Sequence, residues 1–232
     1  LLLDVLPLSL GVETYGGLSE KIIHRNTPIP ASSEKTFTTF KDGQTKLLIH
    51  VIQGERELVS DCKSLSTFTL NNLSPKVAGA IRVKVKFQID ADGLVSVSAK
   101  EINSDNIAKI EVNPSYGISE EQLFKMIEKS NRLAKKDINS RKIAESKVEG
   151  ERVIYALTEA LKKDGNDFLN KKEYEAIANL LDDLKNIINS ANPEKISLAI
   201  KKLEKGSELY VERRMNQSIK SLIAGKDIDD II

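Results

Sequence analysis

Glycine and proline are distributed so unevenly along this chain that a single architecture cannot serve all of it. Five of the six prolines and eight of the twelve glycines precede Ile118. Residues that break helices and set turns, at that density, punctuate short strands; the long stretch that lacks them suits helices. We therefore expect two domains, an antiparallel β-sandwich followed by an α-helical region that ends in a small bundle.

The first part alternates as strands do. Ile81-Arg82-Val83-Lys84-Val85-Lys86-Phe87 places apolar side chains on one face and basic ones on the other, the pattern of a half-solvated strand. Asp90-Ala91-Asp92-Gly93 is a turn into Leu94–Ala99. Thr45–Gln53, Leu65–Leu70, Leu18–Ile23, Lys35–Phe40 and Ala108–Val112 read as further strands. Around eight short strands with turn signals between them point to a sandwich. The Asp90–Gly93 stretch resembles the start of a calcium loop, but the downstream glutamate is missing, and we read a hairpin turn.

The second part opens on Ser119-Glu120-Glu121-Gln122, a capping box. Leu123, Met126, Ile127, Leu133, Ile138, Val153, Ile154, Leu157 and Leu161 then recur at three- and four-residue spacing as far as Asp164-Gly165. About 45 residues at about 1.5 Å each make a rod near 65 Å. Asn170 with Glu173 starts a second helix, and Asn192-Pro193 a third. Gly206 reads as a stop before a fourth, which carries Leu209, Tyr210, Met215 and Ile219. Short connections between amphipathic helices predict that they pack together.

The chain begins with Leu1-Leu2-Leu3-Asp4-Val5-Leu6, whereas the first residues of a domain are normally polar and frayed. We expect this run to join an upstream domain and to dock there or be released from it. It lacks the basic region and small-residue cleavage site of a signal peptide.

Composition excludes several classes. A net charge of +1, from 35 basic and 34 acidic residues, gives no footprint for nucleic acid. No apolar stretch approaches the roughly 18 residues that span a bilayer, so no membrane partner is expected. Cys62, the single cysteine, rules out a disulfide framework and favours a reducing, cytoplasmic setting. Neither a phosphate loop nor a dinucleotide fingerprint occurs. His24 and His50 have no partners at metal-ligand spacing. No catalytic residues and no metal ligands are assigned, and the fragment is not read as an enzyme.

Two aromatics stand where loops are expected. Tyr15 precedes Gly16-Gly17, and Phe40 precedes Lys41-Asp42-Gly43. Leu47 and Val83 lie on strands near them if the sandwich is a meander. Aromatics beside glycine-rich turns mark a candidate binding surface.

Several segments together carry a family resemblance. They are Leu1-Leu2-Leu3-Asp4-Val5 with Pro7-Leu8-Ser9-Leu10-Gly11, Asn26-Thr27 with Ile29-Pro30, Ile49-His50-Val51 with Gln53-Gly54-Glu55-Arg56, and Asp90-Ala91-Asp92-Gly93. The chain resembles the substrate-binding half of the seventy-kilodalton heat-shock chaperones of the DnaK type. Thr38–Thr45, Gly54–Cys62, Pro114-Ser115-Tyr116-Gly117 and Arg213-Arg214-Met215 with Gln217-Ser218 are more similar to the HscA branch, which serves iron–sulfur cluster assembly.

The resemblance implies an interdomain linker at 1–6, a peptide-binding β-sandwich at 7–117, a helical lid at 118–225 and a tail at 226–232. It places Val12, Thr14, Tyr15, Leu18, Phe37, Phe40, Gln44, Leu47, Ile49 and Val83 along a groove for an extended apolar peptide. Tyr15 and Phe40 fall on the pair that arches over the bound chain. Tyrosine departs from the methionine common there, which implies a stiffer arch and a different preferred peptide. Leu1, Leu2, Leu3 and Asp4 would couple the groove to an upstream ATPase domain, so ATP is a cofactor of the longer protein and this fragment has none. The implied partners are an apolar client segment, an iron–sulfur scaffold protein and a J-domain co-chaperone. A general folding chaperone, or an interaction module that binds through its helices, remains the alternative.

Overall fold

The computed structural model describes residues 5–114 and 118–224, with side chains as far as residue 220. The coupling residues expected at Leu1, Leu2, Leu3 and Asp4, most of the Pro114–Gly117 segment, and the 226–232 tail lie outside the described residues. The chain divides into two compact units, Leu1–Ala144 and Glu145–Ile232.

Among the described residues of the first unit, eight strands form two antiparallel sheets. They are β1 (Leu10–Thr14), β2 (Leu18–Ile23), β3 (Ala31–Thr38), β4 (Leu47–Gln53), β5 (Lys63–Leu70), β6 (Arg82–Ile89), β7 (Val95–Glu101) and β8 (Ile107–Val112). One sheet runs β2-β1-β4-β5 and the other β3-β6-β7-β8. This is not a meander: β4 pairs with β1, and β3 is carried to the other sheet beside β6. The alternation expected of β6 is realised. Val83, Val85 and Phe87 are fully buried and meet Val12, Ile49 and Val51 from the facing sheet in one core. Full burial of each such side chain contributes about 1.5–3 kcal/mol.

Asp90–Gly93 is the expected hairpin turn. The Asp90 carboxylate accepts from the backbone N–H groups of Asp92 and Leu94 at 3.0 and 2.9 Å. Gly93 supplies the positive φ of 81°. Among the described residues no cluster of His, Cys, Asp or Glu could hold a metal ion, and no helix is long and apolar enough to cross a membrane.

Helix α1 (Glu120–Phe168) begins at the expected box. Ser119 Oγ accepts from the Gln122 N–H at 3.2 Å, and Gln122 Oε1 accepts from the Ser119 N–H at 3.0 Å. Residues 120–144 of this helix belong to the first unit. In the second unit, the remainder of α1 packs with α2 (Lys171–Ile187) and α3 (Pro193–Ala224). Leu157 and Leu161, Ile177, Leu181 and Leu184, and Ile196, Leu203 and Tyr210 share its core. Asn170 and Glu173 form the second capping box.

The expected third and fourth helices are one. α3 continues through Gly206, because that glycine answers a packing need and is not a stop. A Cβ there would lie 2.4 Å from Leu180 Cδ1, so the missing side chain lets α2 approach. Ser207 donates to the Leu203 carbonyl at 2.9 Å one turn back, which keeps its hydroxyl inside the helix.

Candidate functional site

An apolar cleft of about 450 Å³ opens at one end of the sandwich, within the size range of ligand pockets. Val12, Thr14, Tyr15, Phe37, Phe40, Gln44, Leu47 and Ile49 line it. The Tyr15 and Phe40 rings stack with centroids 3.7 Å apart and planes 13° from parallel. Because Tyr15 lies on the β1–β2 turn and Phe40 follows β3, the stack ties the two sheets together at the cleft.

Local sequence explains both aromatic positions. Gly16 and Gly17 take φ values of 87° and 70°, a pair of left-handed residues that only glycine adopts readily. They turn the chain back directly after Tyr15, and the Gly17 N–H donates to the Thr14 carbonyl at 3.2 Å. On the other side, Gln44 Oε1 accepts from the Phe40 N–H at 3.1 Å, while Gln44 Nε2 donates to the Lys46 carbonyl at 2.8 Å. Gln44 therefore fixes the backbone that presents Phe40. Asp42 accepts from the Ala78 N–H at 2.7 Å and anchors the same loop to the β5–β6 connection.

Eight of the ten groove residues read from the sequence meet at this cleft, and two do not. Val83 is fully buried in the core, opposite Phe37 in the β3–β6 register. Leu18 is buried at the start of β2, opposite Thr14. Glu13, Thr38, Lys41, Leu48 and His50 also line the cleft and were not anticipated. Leu48 is 62% exposed, an apolar side chain on the outer row of β4. His50 bridges strands, with Nδ1 2.6 Å from Glu13 Oε2 and Nε2 2.8 Å from Ser64 Oγ. The alternation of β4 separated these faces in the sequence without revealing that the outer one reaches a cleft.

A second polar centre holds residues 120–144 of α1 against the sandwich. Arg56 donates from Nε and from a terminal nitrogen to the two Asp137 oxygens, the latter at 2.8 Å, and reaches Asp61 at 3.2 Å. Both Arg56 and Asp137 are buried. One turn further, Arg141 donates to Glu57 at 2.9 Å and to the Ser19 carbonyl at 3.0 Å. Lys21 also donates to Glu57, at 2.9 Å. The Arg56 hydrogen bond holds the Asp137 carboxyl below its usual range, against a burial effect that raises it. Burial pushes the Glu57 carboxyl up, but hydrogen bonds from Lys21 and Arg141 outweigh it and leave the group low. Cys62 lies beside this centre with its thiol pushed up by burial, which disfavours the reactive thiolate.

A family model described as Hsp70 protein matches residues 1–216. Over 231 residues the chain is 50% identical to a chaperone protein HscA homolog of Tolumonas auensis and 51% identical to the chaperone protein HscA of Photorhabdus laumondii. It is 47% identical to the HscA homolog of Vibrio cholerae. In each case all of this chain is covered but only 37–38% of the relative. With the family profile matched almost end to end and half of all positions identical to HscA chaperones, the chain belongs to the Hsp70 family.

Proposed function

We propose that this chain is the client-binding part of an HscA-like chaperone, and that the cleft beneath Tyr15 and Phe40 grips an extended apolar peptide. The carrying observation is the cleft itself: an apolar lining that joins both sheets, closed on one side by a stacked aromatic pair. Burying one leucine side chain there would yield about 1.5–3 kcal/mol, whereas micromolar affinity needs about 8 kcal/mol. The difference falls to backbone hydrogen bonds along an extended chain and to flanking contacts, which makes such a site tolerant of sequence.

In this reading residues 1–6 are the interdomain linker, 7–117 the peptide-binding sandwich and 118–225 the lid, with Leu1–Asp4 coupling the cleft to nucleotide hydrolysis elsewhere in a longer protein. The partners are an iron–sulfur scaffold and a J-domain co-chaperone in a reducing cytoplasm. The names of the relatives support the chaperone role, and residues 1–216 supply the family. In this reading the portion has no enzymatic activity of its own, and ATP hydrolysis belongs to another part of a longer protein.

The test is fluorescence anisotropy of a labelled, leucine-containing extended peptide with the wild type and Leu47→Asp. Saturable binding that Leu47→Asp abolishes, in a protein that keeps its circular dichroism spectrum, supports the reading. Equal binding by both would move the site to the helices. Titration with a fluorescent ATP analogue runs alongside; tight nucleotide binding would overturn the assignment of this portion as nucleotide-free.

A further inference from the structure

One segment, Gln53–Cys62, touches three regions of the first unit that are far apart in sequence. Its Glu55 carboxylate grips Ser9 with both oxygens. Oε1 accepts from the Ser9 N–H at 2.7 Å and Oε2 from the Ser9 hydroxyl at 3.1 Å. The Gly54 N–H donates to the Ser9 carbonyl at 2.9 Å, and the Arg25 N–H donates to Ser9 Oγ at 3.0 Å. Ser9 is buried, and its bonds to Glu55 and Arg25 are partly shielded from water. The next two residues face elsewhere: Arg56 holds Asp137 and Glu57 holds Arg141, both on α1. Further along, the Val59 N–H donates to the Gly17 carbonyl at 2.9 Å, behind the turn that carries Tyr15.

Gly54 precedes these residues with a φ of 150° that is disfavoured for other residues, and a Cβ there would sit 3.2 Å from Cys62 Sγ. A side chain at 54 would therefore strain the backbone that carries Glu55 and Arg56. Charge-assisted hydrogen bonds are about twice as strong as neutral ones, and geometry at Arg56 and Glu57 follows from where their backbone is pinned.

We propose that Glu55 is a positioning residue that couples the N-terminal segment at Ser9 to the seating of α1, so that moving Ser9 loosens the Arg56–Asp137 and Glu57–Arg141 pairs together. The proposal concerns the seating of the helix and goes beyond peptide binding. Its consequence for client release rests on the reading above.

The experiment is amide hydrogen exchange on the full chain, resolved by peptide, for wild type, Glu55→Gln, Ser9→Ala, Asp137→Asn and the Glu55→Gln/Asp137→Asn double variant. Coupling predicts that Glu55→Gln and Ser9→Ala each accelerate exchange over residues 120–144 by about tenfold, while β6 and β7 keep their protection. The double variant should accelerate exchange over 120–144 by less than the product of the two single effects, since Asp137→Asn already removes one of the two contacts through which Glu55 acts. A purely structural role for Glu55 would instead lower protection in β6 and β7 as well, and that outcome overturns the proposal. Unchanged exchange over 120–144, or fully multiplicative effects in the double variant, overturns it too. Wild-type peptide anisotropy is measured on the same samples, so a cleft that binds nothing would refute the functional reading without touching the exchange result.

Discussion

Arg56 and Asp137 stand 81 positions apart in the chain and meet as a buried, two-pronged ion pair. Both side chains are 9% exposed. This makes the pair the most committed contact between the sandwich and residues 120–144 of α1. Removing one partner from a buried pair typically costs about 3–5 kcal/mol, because the other charge is left without compensation. Asp61 at 3.2 Å remains as a second acceptor for Arg56, so Asp137→Asn should fall toward the lower end. Thermal unfolding and helix-resolved exchange check this: we expect residues 120–144 to lose protection before the sheets do. Global unfolding in one step with no prior loss in the helix would contradict it.

The same centre sets a pH dependence. The Asp137 and Glu57 carboxyls are both held below their ordinary values while the helix is seated. Releasing the helix therefore takes up protons. Its seating is fully supported above the ordinary carboxylate range of about 4 and is lost as pH falls through the depressed folded values. Exchange of residues 120–144 measured between pH 7 and 3 should show this loss below about pH 4, and Asp137→Asn should flatten the profile.

Much of this architecture was legible because it is local. Ser119 with Gln122 and Asn170 with Glu173 cap their helices as their spacing predicts. Asp90 and Gly93 make their hairpin within five residues. Tyr15 and Phe40 announced themselves beside glycine-rich turns, and the stack joins them. What stayed hidden was non-local. No spacing rule connects Arg56 to Asp137, or Glu55 to Ser9. Gly206 misled for a different reason: in sequence a glycine that admits a neighbouring helix looks like one that ends its own.

The stacked pair yields a kinetic expectation. Offset-stacked and edge-to-face aromatic pairs contribute about 0.5–1.5 kcal/mol beyond the area they bury. The Tyr15–Phe40 pair, nearly parallel at 3.7 Å, is closer than their preferred separation, so that figure is its upper bound. If the stack closes over a bound peptide, its loss speeds dissociation and leaves association nearly unchanged. Tyr15→Ala should therefore raise the peptide off-rate, by up to about tenfold, read by stopped-flow displacement of a labelled peptide. Tyr15 is 46% exposed, so the fold should tolerate the change. A lower association rate with an unaltered off-rate would mean that the rings admit the peptide but do not retain it.

Two close-approach glycines should respond differently to alanine. At Gly11 a Cβ would lie 2.1 Å from the Glu20 carbonyl oxygen, backbone of the paired strand that cannot yield without separating β1 from β2. At Gly206 the obstacle is Leu180 Cδ1, the end of a side chain that can rotate, and alanine gains about 1 kcal/mol of helix propensity over glycine. Gly11→Ala should abolish cooperative folding of the sandwich in denaturant titrations. Gly206→Ala should be nearly neutral alone and stabilising by about 1 kcal/mol when combined with Leu180→Ala. Equal effects of Gly206→Ala in both backgrounds would show that Leu180 is not what the glycine accommodates.

Tyr210 offers the last test, in the helical unit alone. It is buried, and its hydroxyl donates to Asp164 Oδ1 at 2.5 Å, while Arg214 donates to the other Asp164 oxygen at 2.9 Å. Burial first, and then the Asp164 hydrogen bond and charge, push this phenol well above its ordinary value, with Arg214 opposing. An acid whose pKa is raised by folding stabilises the folded state fully below its unfolded value, near 10. That support erodes as pH climbs from there toward the folded value. Absorbance of phenolate at alkaline pH should thus show one tyrosine that ionises only as the helices unfold, and Tyr210→Phe should remove that component. The substitution also strips Asp164 of a charge-assisted partner, worth about 1.5–3 kcal/mol, and should lower the unfolding midpoint of the second unit while leaving that of the sandwich in place. A late-ionising tyrosine that persists in Tyr210→Phe would assign the effect to another residue and leave Asp164 held by Arg214 alone.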